Sequence, residues 1–203
     1  MTIEKNSALL LVDVQNDFCP GGALPVPQGD MIAGRLSRAA SCFAAAGVAV
    51  IASRDWHPPV TSHFREYGGS WPPHCVQGTS GAAFHPALTL PAPTLVISKG
   101  VNPDADSYSA FDGRTEEGSS LDNILSALNI RTLYVGGLAT DYCVRSSVLD
   151  ALHAGYEVTL LVDAIAGVDL HPDDSEKALE EMLSAGATFC STCEAVRQIC
   201  ANP

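Results

Sequence analysis

The stretch RTLYVGGLATDYCVRSSVLDALHAGYEVTLLV, residues 131–162, decides the fold. Arg131 to Val135 reads as a buried strand, because its apolar residues run on between turn signals. From Asp141 to Ala154 the residues Val144, Val148, Leu149 and Leu152 fall on one helical face, and Glu157 to Val162 is strand-like again. Working outward, the same alternation holds on both sides. Ser7–Val14 (SALLLVDV), Val48–Ser53 (VAVIAS), Thr94–Ser98 (TLVIS) and Ala187–Phe189 read as further strands; Asp30–Ala46, Ser119–Leu128 and Asp173–Ala185 read as helices. Apolar strands alternating with helices imply an α/β fold: three αβα layers around a mainly parallel sheet with Rossmann-like strand order. Ligands in such folds collect at the carboxyl ends of the strands.

One segment breaks this rhythm. Trp56 to Pro93 is rich in proline and glycine and carries no helical pattern, yet it holds both tryptophans and four of the six histidines. A loop that long inside a compact domain is functional or disordered, and its aromatic content argues for function. The chain is therefore expected to be one domain, 1–203, with a site-building excursion over 56–93.

Composition narrows the function classes. Of the 203 residues 46% are hydrophobic and 17% charged, which suits one globular core. No apolar run reaches the length of a membrane span, and Met1 to Leu11 lacks the basic start and cleavage site of a signal peptide. The net charge is −12, with basic residues few and scattered, so a phosphate backbone would be repelled and no nucleic-acid partner is expected. Seven cysteines, an odd number, argue against a disulfide framework and for the cytoplasm. The pair Cys190-Ser-Thr-Cys193 has redox or zinc spacing, but with no second pair it reads as ordinary packing. A homo-oligomer is compatible with the sequence and not specified by it.

Three residues stand at strand ends that a parallel sheet would bring together: Asp13, Lys99 and Cys143. Cys143 lies in the first turn of its helix, where the helix dipole and free N–H groups favour a thiolate nucleophile. A nearby carboxylate can take a proton and return it to a leaving amine, while an ammonium holds that carboxylate charged. Each residue alone has a structural reading, as a buried thiol, a turn cap or a solvated lysine; together they suffice for acyl chemistry. A second group is Asp55-Trp56-His57 with His74. Residues at i and i+2 of an extended chain face one side, so one carboxylate and two imidazoles could hold a divalent ion with open positions. Zinc, iron(II) or manganese would accept such ligands. His63 and Glu66 compete as ligands and rank below His74.

With these residues in view, the chain resembles the nicotinamidases of the isochorismatase-like cysteine hydrolase family. The segments that carry the resemblance are LLVDVQNDFCPGGALPV from Leu10, SRDWHPP from Ser53, WPPHCVQGTSGA from Trp71, SKGVNPDADSYSAF from Ser98 and GGLATDYCV from Gly136. The resemblance implies hydrolysis of nicotinamide to nicotinate and ammonia, as part of NAD salvage, through a thioester on Cys143. It implies Asp13, Lys99 and Cys143 as the catalytic triad and Asp55, His57 and His74 as metal ligands, with zinc ranked before iron or manganese. It places Phe18, Trp71 and Tyr108 around the pyridine ring. It also implies a cis peptide at Leu138–Ala139 and an oxyanion hole from the N–H groups of Ala139 and Cys143. One departure stands out: many nicotinamidases have His-x-Ser-Phe shortly after the Asp-x-His block, whereas this chain reads Thr61-Ser62-His63-Phe64. His85 reads as loop structure. The rivals are an N-carbamoyl amide hydrolase of the same family, and a non-catalytic protein that binds a pyridine ligand. The sequence leaves open the metal, the oligomeric state, the breadth towards pyrazinamide, and whether His63 or Glu66 joins the metal.

Overall fold

A computed structural model describes residues 6–200, with nothing described for the side chain of Cys200. The charged start at Glu4 and Lys5, and both ends of the expected 1–203 span, lie outside these residues. Six strands form one sheet: β1 (Ser7–Val12), β2 (Ala49–Asp55), β3 (Thr94–Lys99), β4 (Thr132–Leu138), β5 (Glu157–Ala166) and β6 (Thr188–Cys190). Their order is β3-β2-β1-β4-β5-β6, and every pairing is parallel. Five helices cover it: α1 (Ala33–Ala45), α2 (Leu121–Ala127), α3 (Arg145–His153), α4 (Asp174–Ser184) and α5 (Thr192–Cys200).

The period-2 geometry of a strand explains the two cores. Along β1, Leu9 and Leu11 point to one face, where they meet Leu36 and Phe43 of α1 and Ala195 and Ile199 of α5. Ala8, Leu10 and Val12 point to the other, against Leu121 and Leu125 of α2, Val148 and Ala151 of α3, and Met182 of α4. Burial of each such large apolar side chain contributes about 1.5–3 kcal/mol. A sheet buried on both faces needs apolar residues at every position, which is why β1 shows no polar alternation.

The strand order reverses between β1 and β4, so their carboxyl ends open a crevice between chain segments running off in opposite directions. Gly137, at φ 135° and opposite Val12, lets β4 close onto β1: a Cβ there would lie 2.1 Å from the Val12 carbonyl oxygen. Beyond β4 the chain differs from the continuous helix expected over 141–154. Thr140–Val144 is a π-helical turn, in which the Val144 N–H donates to the Ala139 carbonyl, and regular α3 begins only at Arg145. Such wide turns gather at functional sites. The excursion after β2 is pinned rather than loose. Its main chain bridges His57 to Val76 and Phe64 to Trp71, and Phe84 pairs with Gln15 beside β1.

The final helix, α5, was not expected from the sequence. Its signal is a capping box just where the Cys190–Cys193 pair drew the eye. Ser191 Oγ accepts from the Glu194 N–H at 3.2 Å, and the Ser191 N–H donates to Glu194 Oε2 at 2.8 Å.

Candidate active site

Strand register brings the first three residues together. Asp55 and Lys99 are partners across β2 and β3, and Asp13 follows β1 with its N–H donating to the Ser53 carbonyl. Asp13 adopts φ 49°, a left-handed conformation that aspartate tolerates better than most residues. Its Oδ1 accepts from Ser53 Oγ at 2.7 Å, and its Oδ2 lies 2.9 Å from Lys99 Nζ. The Lys99 ammonium also pairs with Asp55 Oδ1 and lies 3.4 Å from Cys143 Sγ. Asp13 and Lys99 are fully buried, and Cys143 nearly so.

These charges set one another. Burial alone would lower the Lys99 ammonium, but Asp13 and Asp55 hold it well above its usual range. Burial raises Asp13, with Asp55 adding and Lys99 opposing. Burial also pushes the Cys143 thiol well above its usual value; Lys99 opposes this, while Asp13 and Asp55 reinforce it. The sequence expectation of a thiolate at a helix start is therefore corrected. Desolvation and two carboxylates outweigh the helix terminus, and Cys143 rests as a thiol clustered with Asp13 and Asp55. The Cys143 sulfur and an Asp13 oxygen lie within 4.8 Å of each other, so a small shift brings the proton to its acceptor.

Next to this trio, three imidazoles turn their Nε2 atoms onto one point. His57 Nδ1 donates to the Gly100 carbonyl at 3.1 Å, His74 Nδ1 to the Pro72 carbonyl at 2.8 Å, and His63 Nδ1 meets Asp106 Oδ1 at 2.5 Å. With each Nδ1 engaged by an acceptor, the lone pair lies on Nε2. The three histidines form a ligand cluster, and Asp55 Oδ2 stands 3.7 Å from His57 Nε2 and 3.9 Å from His74 Nε2. Burial lowers His63 and pushes His74 down to about 4, so both are neutral near pH 7, the state that binds a metal. For Asp55, burial works upward, but Lys99, with His57 and His74, holds the carboxyl well below its usual range. His57 Nε2 is buried with no hydrogen-bond partner. A buried orphan nitrogen facing two imidazoles and a carboxylate is what a divalent metal would satisfy, so the residues fit such an ion.

Phe18, Leu24, Trp71, Tyr108, Tyr142 and Val168 wall a narrow pocket that opens onto Asp55, His63, His74, Ala139 and Cys143. Its mostly aromatic and apolar wall suits a flat ring. Trp71 Nε1 donates to Tyr108 Oη at 2.9 Å, and Trp71 stands edge-on to Tyr142 at 5.0 Å.

The structure thus brings together Asp13, Lys99, Cys143, Asp55, His57, His74, Phe18, Trp71 and Tyr108, with Ala139 at the cavity floor. The peptide Leu138–Ala139 is cis. His63, ranked low on sequence, stands in the histidine cluster; Glu66 is exposed and outside it. His85 serves the loop, its N–H donating to the Val14 carbonyl. Several residues escaped the sequence reading. Gln15 holds the main chain of Asp55 from both sides: Nε2 donates to its carbonyl at 2.8 Å, and Oε1 accepts from its N–H at 2.7 Å. Asp17 Oδ2 accepts from the N–H of Cys75, next to His74, at 2.7 Å. Asp141 accepts from the N–H groups of Val168 and Asp169 at 2.9 and 2.8 Å, tying the cavity wall to the Cys143 turn. The signal for Gln15 was its place two residues after Asp13; nothing in a periodicity reading reveals what it holds.

Residues 7–194 match the Isochorismatase domain. The chain is 47% identical over 198 residues to the nicotinamidase of Escherichia coli (strain K12), covering 90% of this chain and 93% of that one. It is 43% identical to the nicotinamidase/pyrazinamidase of Mycobacterium tuberculosis (strain ATCC 25618 / H37Rv), over 91% of this chain and 99% of the relative. The crystal structure of the pyrazinamidase of Pyrococcus horikoshii in complex with zinc superposes with a TM-score of 0.84 at 46% identity, covering 92% of this chain and 99% of that one.

Proposed function

The chain belongs to the Isochorismatase domain family, and from that premise we propose that it is a nicotinamidase, hydrolysing nicotinamide to nicotinate and ammonia. The observation that carries this reading is the pairing of two buried clusters beside one pocket: the Cys143 thiol grouped with Asp13 and Lys99, and three imidazole nitrogens converging beside Asp55. High identity to nicotinamidases over nine-tenths of the chain supports the substrate.

In this reading Asp55, His57 and His74 hold a divalent metal, with His63 joining them. When bound, the metal orients the substrate through its pyridine nitrogen, a template role, and zinc is assigned ahead of iron(II) or manganese. The ring stacks among Phe18, Trp71 and Tyr108, which sets its amide carbon near Cys143 Sγ. Asp13 takes the thiol proton as Sγ bonds to that carbon, and the carbonyl electron pair moves onto oxygen. The N–H groups of Ala139 and Cys143 stabilise the oxyanion. When it collapses, the C–N bond breaks and Asp13 gives its proton to the departing ammonia. Water then adds to the thioester carbon while Asp13 takes its proton; the C–S bond breaks, nicotinate leaves, and Sγ recovers the proton. Lys99 holds Asp13 in place throughout and keeps the carboxylate from drifting further up.

We place this reaction in NAD salvage and the protein in the cytoplasm. No helix among the described residues is long and apolar enough to cross a membrane. The test is ammonia release from nicotinamide, before and after a chelator strips the metal. Activity should fall on stripping, return with added divalent ion, and vanish in Cys143→Ala while nicotinamide binding persists. Substantial turnover by Cys143→Ala would sink the nucleophile; no turnover by metal-restored wild type would hand the assignment to an N-carbamoyl amide or to a pyridine-binding protein.

A further inference from the structure

The three histidines of the cluster differ in what holds them. His57 and His74 give their Nδ1 protons to main-chain carbonyls, of Gly100 and Pro72. His63 alone of the three relies on a side chain, the carboxylate of Asp106, at 2.5 Å. The imidazole is 3% exposed and Asp106 is 62% exposed, so a surface carboxylate steers a buried ring. The loop carrying Asp106 is docked onto the His63 segment, since the Pro103 carbonyl accepts from Ser62 N–H at 2.8 Å and Thr61 Oγ1 at 3.1 Å. Two residues beyond Asp106, Tyr108 accepts the Trp71 hydrogen bond of the cavity wall.

We propose that Asp106 is a positioning residue for the metal centre, acting through His63 and resting on the metal site proposed above. A neutral imidazole has two tautomers, and only one leaves Nε2 free for a cation. Ionised Asp106 can only accept, so it selects the tautomer with the proton on Nδ1 and aims the other nitrogen into the cluster. Without it, the His63 ring can rotate or reverse its tautomer, which the main-chain partners of His57 and His74 forbid. Loss of such an outer partner weakens metal binding by about 10–100-fold. Because Asp106 and Tyr108 share a loop, the same contact also couples metal capture to the placement of the aromatic wall.

The experiment is a chelator competition for zinc, read on metal-free wild type, Asp106→Ala and Asp106→Asn, with absorption spectra of the cobalt(II) forms. Asp106→Ala should lose about 10–100-fold in affinity and change its cobalt spectrum. Asp106→Asn keeps an oxygen that can accept from Nδ1; the opposite amide orientation, with Nδ2 donating, leaves Nε2 protonated and unable to bind, so zinc itself selects the accepting one, and most of the affinity and the wild-type spectrum should return. Equal losses in both variants would mean that Asp106 acts only through its charge, and equal affinities in all three proteins would mean that it acts on nothing; either overturns the proposal. Wild type that binds no zinc would overturn the metal site itself, and this inference with it. Unchanged unfolding midpoints of the metal-free variants, expected for so exposed a residue, exclude a folding defect.

Discussion

Gln15 offers the sharpest test of how the site is built. Its side chain is fully buried and makes three hydrogen bonds: from Nε2 to the carbonyls of Asp55 and Ala82, at 2.8 and 2.9 Å, and to Oε1 from the Asp55 N–H at 2.7 Å. Gln15→Ala leaves one buried N–H without an acceptor and two carbonyls each short of a donor. An orphaned donor costs about 1–3 kcal/mol. Under-satisfied carbonyls cost less, because each has a second lone pair. Adding the lost packing of the side chain, the loss should be about 3 kcal/mol. That is a large part of a typical stability of about 5–15 kcal/mol, so the variant should fold but melt early. Urea unfolding of the metal-free protein reads the effect directly; with m at about 2–3 kcal/mol/M, the midpoint should fall by about 1–1.5 M. Working without metal matters, because ligand linkage would otherwise add to the shift. Asp55 then loses the clamp on its main chain and keeps its strand pairing and its ion pair with Lys99, so metal affinity and turnover should fall together in the folded fraction. A stability loss under about 1 kcal/mol would refute the reasoning, since it would mean that water or a shifted backbone replaces all three bonds.

Two further expectations come from the same geometry. Gly100 has φ +68°, and a Cβ there would lie 2.4 Å from His57 Cε1, so Gly100→Ala should push the imidazole away from the cluster. Metal affinity should drop by about 10-fold or more, measured by elemental analysis after dialysis, and full occupancy would contradict the placement of His57. The Cys143 thiol is raised above an ordinary value of 9.0 by burial, so in metal-free protein the reactive thiolate is a minor species at neutral pH and grows as pH rises. Its alkylation by iodoacetamide should therefore still be climbing at pH 9, and a rate that levels off near pH 7 would mean a resting thiolate instead.

How far the site was legible differs residue by residue. Asp13, Lys99 and Cys143 were visible because each sits where an apolar strand stops, and parallel strands stop on one side of a sheet. Asp55 and His57 were visible through their i, i+2 spacing. His63 was visible only as a competitor ranked below His74, because its approach to His57 and His74 goes with the Phe64–Trp71 bridge that folds the excursion back on itself. The thiolate expectation failed for a related reason. A helix terminus can be read from sequence, but the desolvation that outweighs it depends on which side chains close over Cys143. The helix at Thr192–Cys200 was missed although its Ser191–Glu194 capping box was in plain view, since the segment was read for its cysteine spacing, set aside as ordinary packing, and not for helix caps.

The alternation of apolar strands with amphipathic helices determines, without coordinates, that this chain forms a parallel sheet covered on both faces. Hydrophobic burial is periodic, and periodicity is written along the chain. The wide turn at Thr140–Val144 and the bond from Lys99 to Asp55 that joins the trio to the histidine cluster were decided only by the tertiary structure. So were the roles of Gln15 and Asp106. Hydrogen bonds and charge interactions act over a few ångströms between residues some 40 positions apart, and no local pattern records which of them will meet.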